Sequence, residues 1–146
     1  MTYTELFAQL VRAEIQLWNS LDSHLQADVD VTLATFQALS AVARAAGPVR
    51  VQDISDELSI TVGASSKLVD RLERDGLARR ESNPDDRRSS IVVLTEAGRL
   101  ARSAAASATE DHLRTLLAPL YSPTRAADLA SELGSLRARV REEEKG

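Results

Sequence analysis

TVGASSKLVDRLERDGLARRESNPDDRRSSIVVLTEAG, residues 61–98, carries the densest fold signals of this chain. Its first part has the marks of a helix that starts and stops sharply. Thr61 is a residue type whose side chain accepts a first-turn N–H, and Gly76 supplies the left-handed conformation on which helices commonly end. Between them Ala64, Leu68, Val69 and Leu72 read as the inward positions. The outward face then carries Thr61, Val62, Ser66, Lys67, Asp70, Arg71 and Arg74. Residues 77–82 and 90–94 follow as two short strands. The second, Ile91-Val92-Val93-Leu94, is β-branched, and Asn83-Pro84-Asp85-Asp86 between them is a turn signal.

Working outward toward the N-terminus, residues 51–58 form a short helix with Ile54 and Leu58 inward and Asp53 near the positive end of its dipole. Residues 31–46 form another, with Leu33, Phe36, Leu39 and Ala43 on one side, and Gly47-Pro48 ends it. Two helices joined by a short turn, 51–58 and 61–75, can place the second in a major groove, where hydroxyls and cations suit phosphates and base edges. Taken alone, that charged face reads equally well as a solvated surface. The hairpin shifts the balance, because Arg79, Arg80, Arg87 and Arg88 lie on or near it, with Asp85 and Asp86 at its tip. A two-stranded projection beside a recognition helix can carry arginine into a narrow minor groove.

Both ends of the chain are helical and apolar. In residues 3–27, Leu6, Leu10, Leu17 and Leu21 recur beside a second stripe of Phe7, Val11, Ile15 and Trp18, more apolar surface than one partner requires. Thr95 caps a helix running to about residue 117, and Ser122-Pro123 opens the last one. There Leu129, Leu133, Leu136 and Val140 make a heptad-like seam. The expected fold is mainly α, a winged helix-turn-helix with a two-stranded β wing and a helical dimerisation region drawn from both termini. Its divisions are an N-terminal dimerisation helix over 1–30, a DNA-binding lobe over 31–98 and C-terminal dimerisation helices over 99–146. Leu6, Leu10, Leu129, Leu133, Leu136 and Val140 are the expected dimer contacts, although packing of the last helix on the first within one chain is the competing reading.

Composition removes several classes of function. The 146 residues are 43% hydrophobic and 27% charged, an ordinary globular balance. There is no cysteine, and Met1 is the one methionine, so thiol chemistry and internal methionine oxidation are excluded. His24 and His112 are too few for a zinc site, so no metal and no cofactor is expected. No Gly-rich phosphate loop or helix-borne Glu-x-x-His pattern supports an enzyme. The start of the chain lacks a basic segment followed by an apolar run, and no membrane segment is evident, so a cytoplasmic protein is expected. The net charge of −4 is unhelpful to a nucleic-acid binder, yet residues 61–90 hold seven Lys/Arg against six Asp/Glu and are net +1. Phosphate contact depends on the local field rather than on the total.

The run Asp86-Arg87-Arg88-Ser89-Ser90-Ile91-Val92-Val93-Leu94-Thr95-Glu96-Ala97-Gly98 resembles the wing signature of the multiple antibiotic resistance regulator (MarR) family: Asp-x-Arg, a strand, then Leu-Thr-x-x-Gly opening a helix. Leu68-Val69-Asp70-Arg71-Leu72-Glu73-Arg74-Asp75-Gly76-Leu77 resembles that family's recognition-helix end and first wing strand. The resemblance implies a homodimeric transcriptional regulator, a repressor by expectation, that binds a pseudo-palindromic double-stranded DNA operator. It places Ser66 and Lys67 at the major groove, Arg88 in the minor groove, and Asp86 as the partner orienting Arg88 through a local ion pair. Ser65 stands where relatives often carry a core Val or Ile, and is counted here with the DNA-binding positions of the recognition helix, as is Arg87 with those of the wing. Arg50 stands where a capping Ser or Thr is frequent. The resemblance also implies a small-molecule effector, for which Trp18, His24, Phe36 and Arg44 are the candidate liners.

Overall fold

Thr2 sets the start of the first helix. Its hydroxyl accepts the Glu5 N–H at 3.1 Å while the Glu5 carboxylate accepts the Thr2 N–H at 2.6 Å, a reciprocal capping box. The computed structural model describes residues 1–146, and in it this cap opens α1, Tyr3–Val29. The helix runs past residue 27 because Asp30 adopts the left-handed conformation (φ 54°) usually left to glycine and ends it there. Leu21 and Leu25 are its buried residues, and Asp22 accepts the Leu33 N–H at 2.8 Å, supplying one donor at the start of α2 with a partner.

Helix α2 (Leu33–Arg44) does not present the single apolar side expected of it. Leu33, Thr35, Ala38, Leu39, Ser40 and Ala41 are buried, Phe36 is only half-buried and Ala43 is exposed. The reason is position: α2 packs against α1, α3, α4 and β2, so most of its circumference is covered and a one-face pattern cannot describe it. Helix α3 (Val51–Leu58) starts at Arg50, which has no capping hydroxyl. Asp53 compensates, accepting the Arg50 N–H at 2.7 Å and pairing with its guanidinium at 3.3 Å. The Arg50 backbone N–H is the main cause that holds the Asp53 carboxyl below its ordinary range; burial opposes it and the guanidinium adds to it.

Helix α4 (Val62–Arg74) starts as expected, with the Thr61 hydroxyl accepting the Ala64 N–H at 3.1 Å. It ends on Gly76 at φ 72°, where Gly76 N–H reaches Glu73 C=O and Leu77 N–H reaches Leu72 C=O, a Schellman closure. Leu77 is therefore spent on the helix end, and strand β1 begins at Ala78 (Ala78–Ser82). It pairs antiparallel with β2 (Ser90–Leu94), from Ala78 opposite Leu94 to Ser82 opposite Ser90. On the far side of β2, Val92 N–H bonds to Val49 C=O at 2.7 Å and ties the hairpin to the segment before α3. Ala38, Leu39, Val49, Ile54, Leu68, Val69, Leu72, Ala78, Val92 and Leu94 form the core, so helix-turn-helix and hairpin share one apolar interior.

The start of helix α5 (Glu96–Leu117) is tied to the end of α4. The Thr95 hydroxyl donates to Gly76 C=O at 2.7 Å and accepts the Gly98 N–H at 3.0 Å. A Cβ on Gly98 would lie 1.9 Å from the Leu77 carbonyl oxygen, so only glycine lets the helix cross there. The chain divides into two compact units, residues 1–109 and 110–146. The second holds the end of α5 and α6 (Pro123–Glu143), capped by the Ser122 hydroxyl on Arg125 N–H with proline in the first turn. No residue of α6 is buried. No helix of the chain is long and apolar enough to cross a membrane.

Candidate nucleic-acid interface

The buried residues of α4 are Ser65, Leu68, Val69 and Leu72, an i, i+3, i+4, i+7 stripe. At 100° per residue the opposite stripe is Gly63, Lys67, Asp70 and Arg74, all exposed. Thr61, Val62 and Arg71 are also exposed, and Ser66 is half-buried at the flank. This corrects two expectations. Ser65 is fully buried, its hydroxyl donating to Val51 C=O at 2.8 Å, and Ala64 is exposed. Residue 65 precedes Leu68 by three, Val69 by four and Leu72 by seven, so geometry assigns it to the core; its hydroxyl is tolerated there because α3's first carbonyl accepts it.

Two carboxylates on or beside the outward stripe would repel phosphate if left free. Both are held by Arg80 of β1, whose side chain is 26% exposed. Its guanidinium pairs with Asp70 at 2.8 Å and with Glu73, and its N–H donates to Glu73 at 3.1 Å. The Glu73 carboxyl is held below its ordinary range first by that backbone N–H and then by the guanidinium. The same contacts fix the hairpin to the recognition helix, so the spacing of the two elements is set by an ion-pair cluster as well as by the core. Arg80 is thus a positioning residue, a role its place in a run of charged residues did not disclose.

At the hairpin tip, Asn83 is buried and organises the turn. Its side chain accepts the Asp85 N–H at 3.0 Å and donates to the Ser89 hydroxyl at 3.0 Å. Asp86 does meet Arg88, but through the backbone: its Oδ1 accepts the Arg88 N–H at 2.9 Å, where an ion pair was expected. The short two-residue separation favours this Asx-type turn, which leaves the guanidinium free to point elsewhere. Arg79 is paired with Glu81 at 2.8 Å and Arg80 with α4, whereas Arg87 and Arg88 at the tip are exposed. The hairpin therefore holds two arginines in ion pairs and leaves two available at its tip.

The remaining candidates lie apart from this surface. Leu6, Leu129, Leu133, Leu136 and Val140 are exposed and Leu10 is half-buried. Arg44 pairs with Glu57 at 2.9 Å and, with Ala41, Ala45, Val49, Asp53 and Glu57, lines a cavity of about 200 Å³. Trp18, His24 and Phe36 do not line it, so the four candidate effector contacts are not brought together there.

A helix-turn-helix pair with an attached two-stranded wing on a shared core defines a winged helix-turn-helix protein. The chain matches the MarR family over residues 29–89. It is 34% identical over 70 residues to the multiple antibiotic resistance protein MarR of Escherichia coli, an alignment covering 48% of each chain. The chain spans less than half the length of the curated relatives it matches. Solved structures follow it much further. Sco3205 of Streptomyces coelicolor, a MarR-family regulator in complex with DNA, superposes with a TM-score of 0.81 at 25% identity, over 96% of this chain and 86% of that one. CouR of Rhodococcus jostii, bound to p-coumaroyl-CoA, has the same fold, with a TM-score of 0.76 at 22% identity over 88% of each chain.

Proposed function

We propose that this protein is a cytoplasmic, homodimeric transcriptional repressor that binds a pseudo-palindromic operator, with α4 in the major groove and the wing in the adjacent minor groove. The observation that carries the reading is the division of charge on this surface. Asp70 and Glu73 are engaged by Arg80 and Arg74 pairs with Asp75 at 3.7 Å, while Lys67 and Arg71 on α4 and Arg87 and Arg88 on the wing are exposed. A chain of net charge −4 thereby presents a local cationic face of the kind phosphates require. The complex of Sco3205 with DNA supports the same use of the fold.

Homodimerisation is supported by α6. Leu129, Leu133, Leu136 and Val140 recur along one face and are all exposed, as are Leu6, Phe7 and Ile15 of α1. Exposed apolar rows of this length are rare on a monomer and fit a second copy of the same helices. Twofold symmetry would place two copies of α4 on half-sites about one helical turn apart. A small-molecule effector completes the reading, in keeping with the ligand held by the same fold in CouR. The direct experiment is selection of bound duplexes from a random pool by purified protein. The reading expects a pseudo-palindromic consensus, retarded in gels as a complex of two chains and one duplex; recovery of no consensus above the starting pool would defeat it.

A further inference from the structure

Three glycines of this chain show three different relations to their surroundings. Gly76 is required by its left-handed φ of 72°, and Gly98 by the Leu77 carbonyl that a Cβ would strike. Gly63 has neither reason. Its φ is not positive, and a Cβ built on it meets only the Thr61 hydroxyl, at 4.0 Å. It lies in the first turn of α4, where glycine lowers helix stability relative to alanine and nothing inside the chain offsets the loss. It is also the first member of the outward stripe Gly63, Lys67, Asp70 and Arg74, directly opposite the buried face.

The geometry points to Gly63 as a clearance position for DNA: the missing side chain lets the first turn of α4 sit close to base edges in the major groove, with Lys67 one turn further along the same stripe. The inference rests on the DNA-binding reading above and adds a steric determinant to it. Residues in the N-terminal part of a recognition helix are the ones that approach base edges, and there a methyl group is large. A methyl at 63 would hold the whole helix outward and lengthen every contact made by Lys67 and Ser66. Selection of sequence would suffer more than attraction to phosphate, since phosphate attraction tolerates small displacements.

The test compares Gly63→Ala with the unaltered protein on a duplex selected by that protein and on an unrelated duplex of equal length. The inference expects an unchanged or raised melting temperature, an affinity for the selected duplex lower by about tenfold or more, and a much smaller loss on the unrelated duplex. Equal affinity of Gly63→Ala and the parent for the selected duplex would overturn it. So would a fall in melting temperature, because the glycine would then serve the fold. Lys67→Ala is the control that separates the two levels: if the parent binds and Lys67→Ala weakens it while Gly63→Ala does not, the clearance role fails and the DNA-binding reading stands. Failure of the parent itself to bind any duplex overturns both.

Discussion

Ser65 shows how one residue can satisfy two demands that look incompatible in a sequence. As a polar residue at the start of a charged helix it reads as a surface position, but the spacing of Leu68, Val69 and Leu72 makes it the fourth member of their buried stripe. Its hydroxyl bonds to Val51 C=O at 2.8 Å and so joins α4 to α3 at the turn between them. Ser65→Ala should lower stability by about 1 kcal/mol, the usual net value of one hydrogen bond, since the Val51 carbonyl loses a donor. Urea denaturation measures it, and DNA affinity of the folded variant should be unchanged; a large affinity loss at equal stability would restore Ser65 to the DNA surface. The caps at Thr61, Thr95 and Ser122 and the stop at Gly76 were readable because each depends on local chemistry alone. Ser65, Asn83 and Arg80 were not, because their partners lie elsewhere in the chain or in a turn whose geometry residue types leave open.

At the scale of elements, the coupling of β1 to α4 through Arg80 is the feature that the linear pattern hides. The hairpin and the helix were both legible from alternation, helical spacing and turn residues, but seven residues separate Glu73 from Arg80, and neither period relates them. The fixed spacing of helix and wing should depend on pH in a definite sense. Glu73 in the fold ionises below its ordinary value, so its share of stability is complete above that ordinary value and is lost as the pH falls through the lower, folded one. Asp53 at the start of α3 behaves with the same sign through Arg50. Acid titration of stability should therefore show a decline that Glu73→Gln reduces, leaving the part due to Asp53. A Glu73→Gln protein whose stability falls with acid as steeply as the parent's would mean that the Glu73 carboxylate contributes nothing to that decline.

For the whole molecule, the sequence made the winged helix-turn-helix legible because its signals are dense and local, while the buried sides of α2 required knowing how many neighbours it has. The apolar rows at the two ends are exposed in the single chain: Leu136 is 47% exposed and Phe7 66%. If they form the dimer, Leu133→Asp with Leu136→Asp should shift sedimentation toward the monomer and abolish cooperative occupation of two half-sites, while residues 31–98 keep their fold. A double variant that stays dimeric at micromolar concentration would remove α6 from the interface. Joint reading of DNA by α4 and the wing is tested by binding of a selected duplex as a function of salt in three proteins: the parent, Lys67→Ala and Arg88→Ala. A phosphate contact by Lys67 predicts a log–log salt slope reduced by about one per subunit, with all sequences weakened alike. Entry of Arg88 into a minor groove predicts a loss that is larger on A·T-rich than on G·C-rich flanks. Binding by the parent that neither substitution weakens, on either flank and at any salt concentration, would mean that α4 and the wing do not read DNA together.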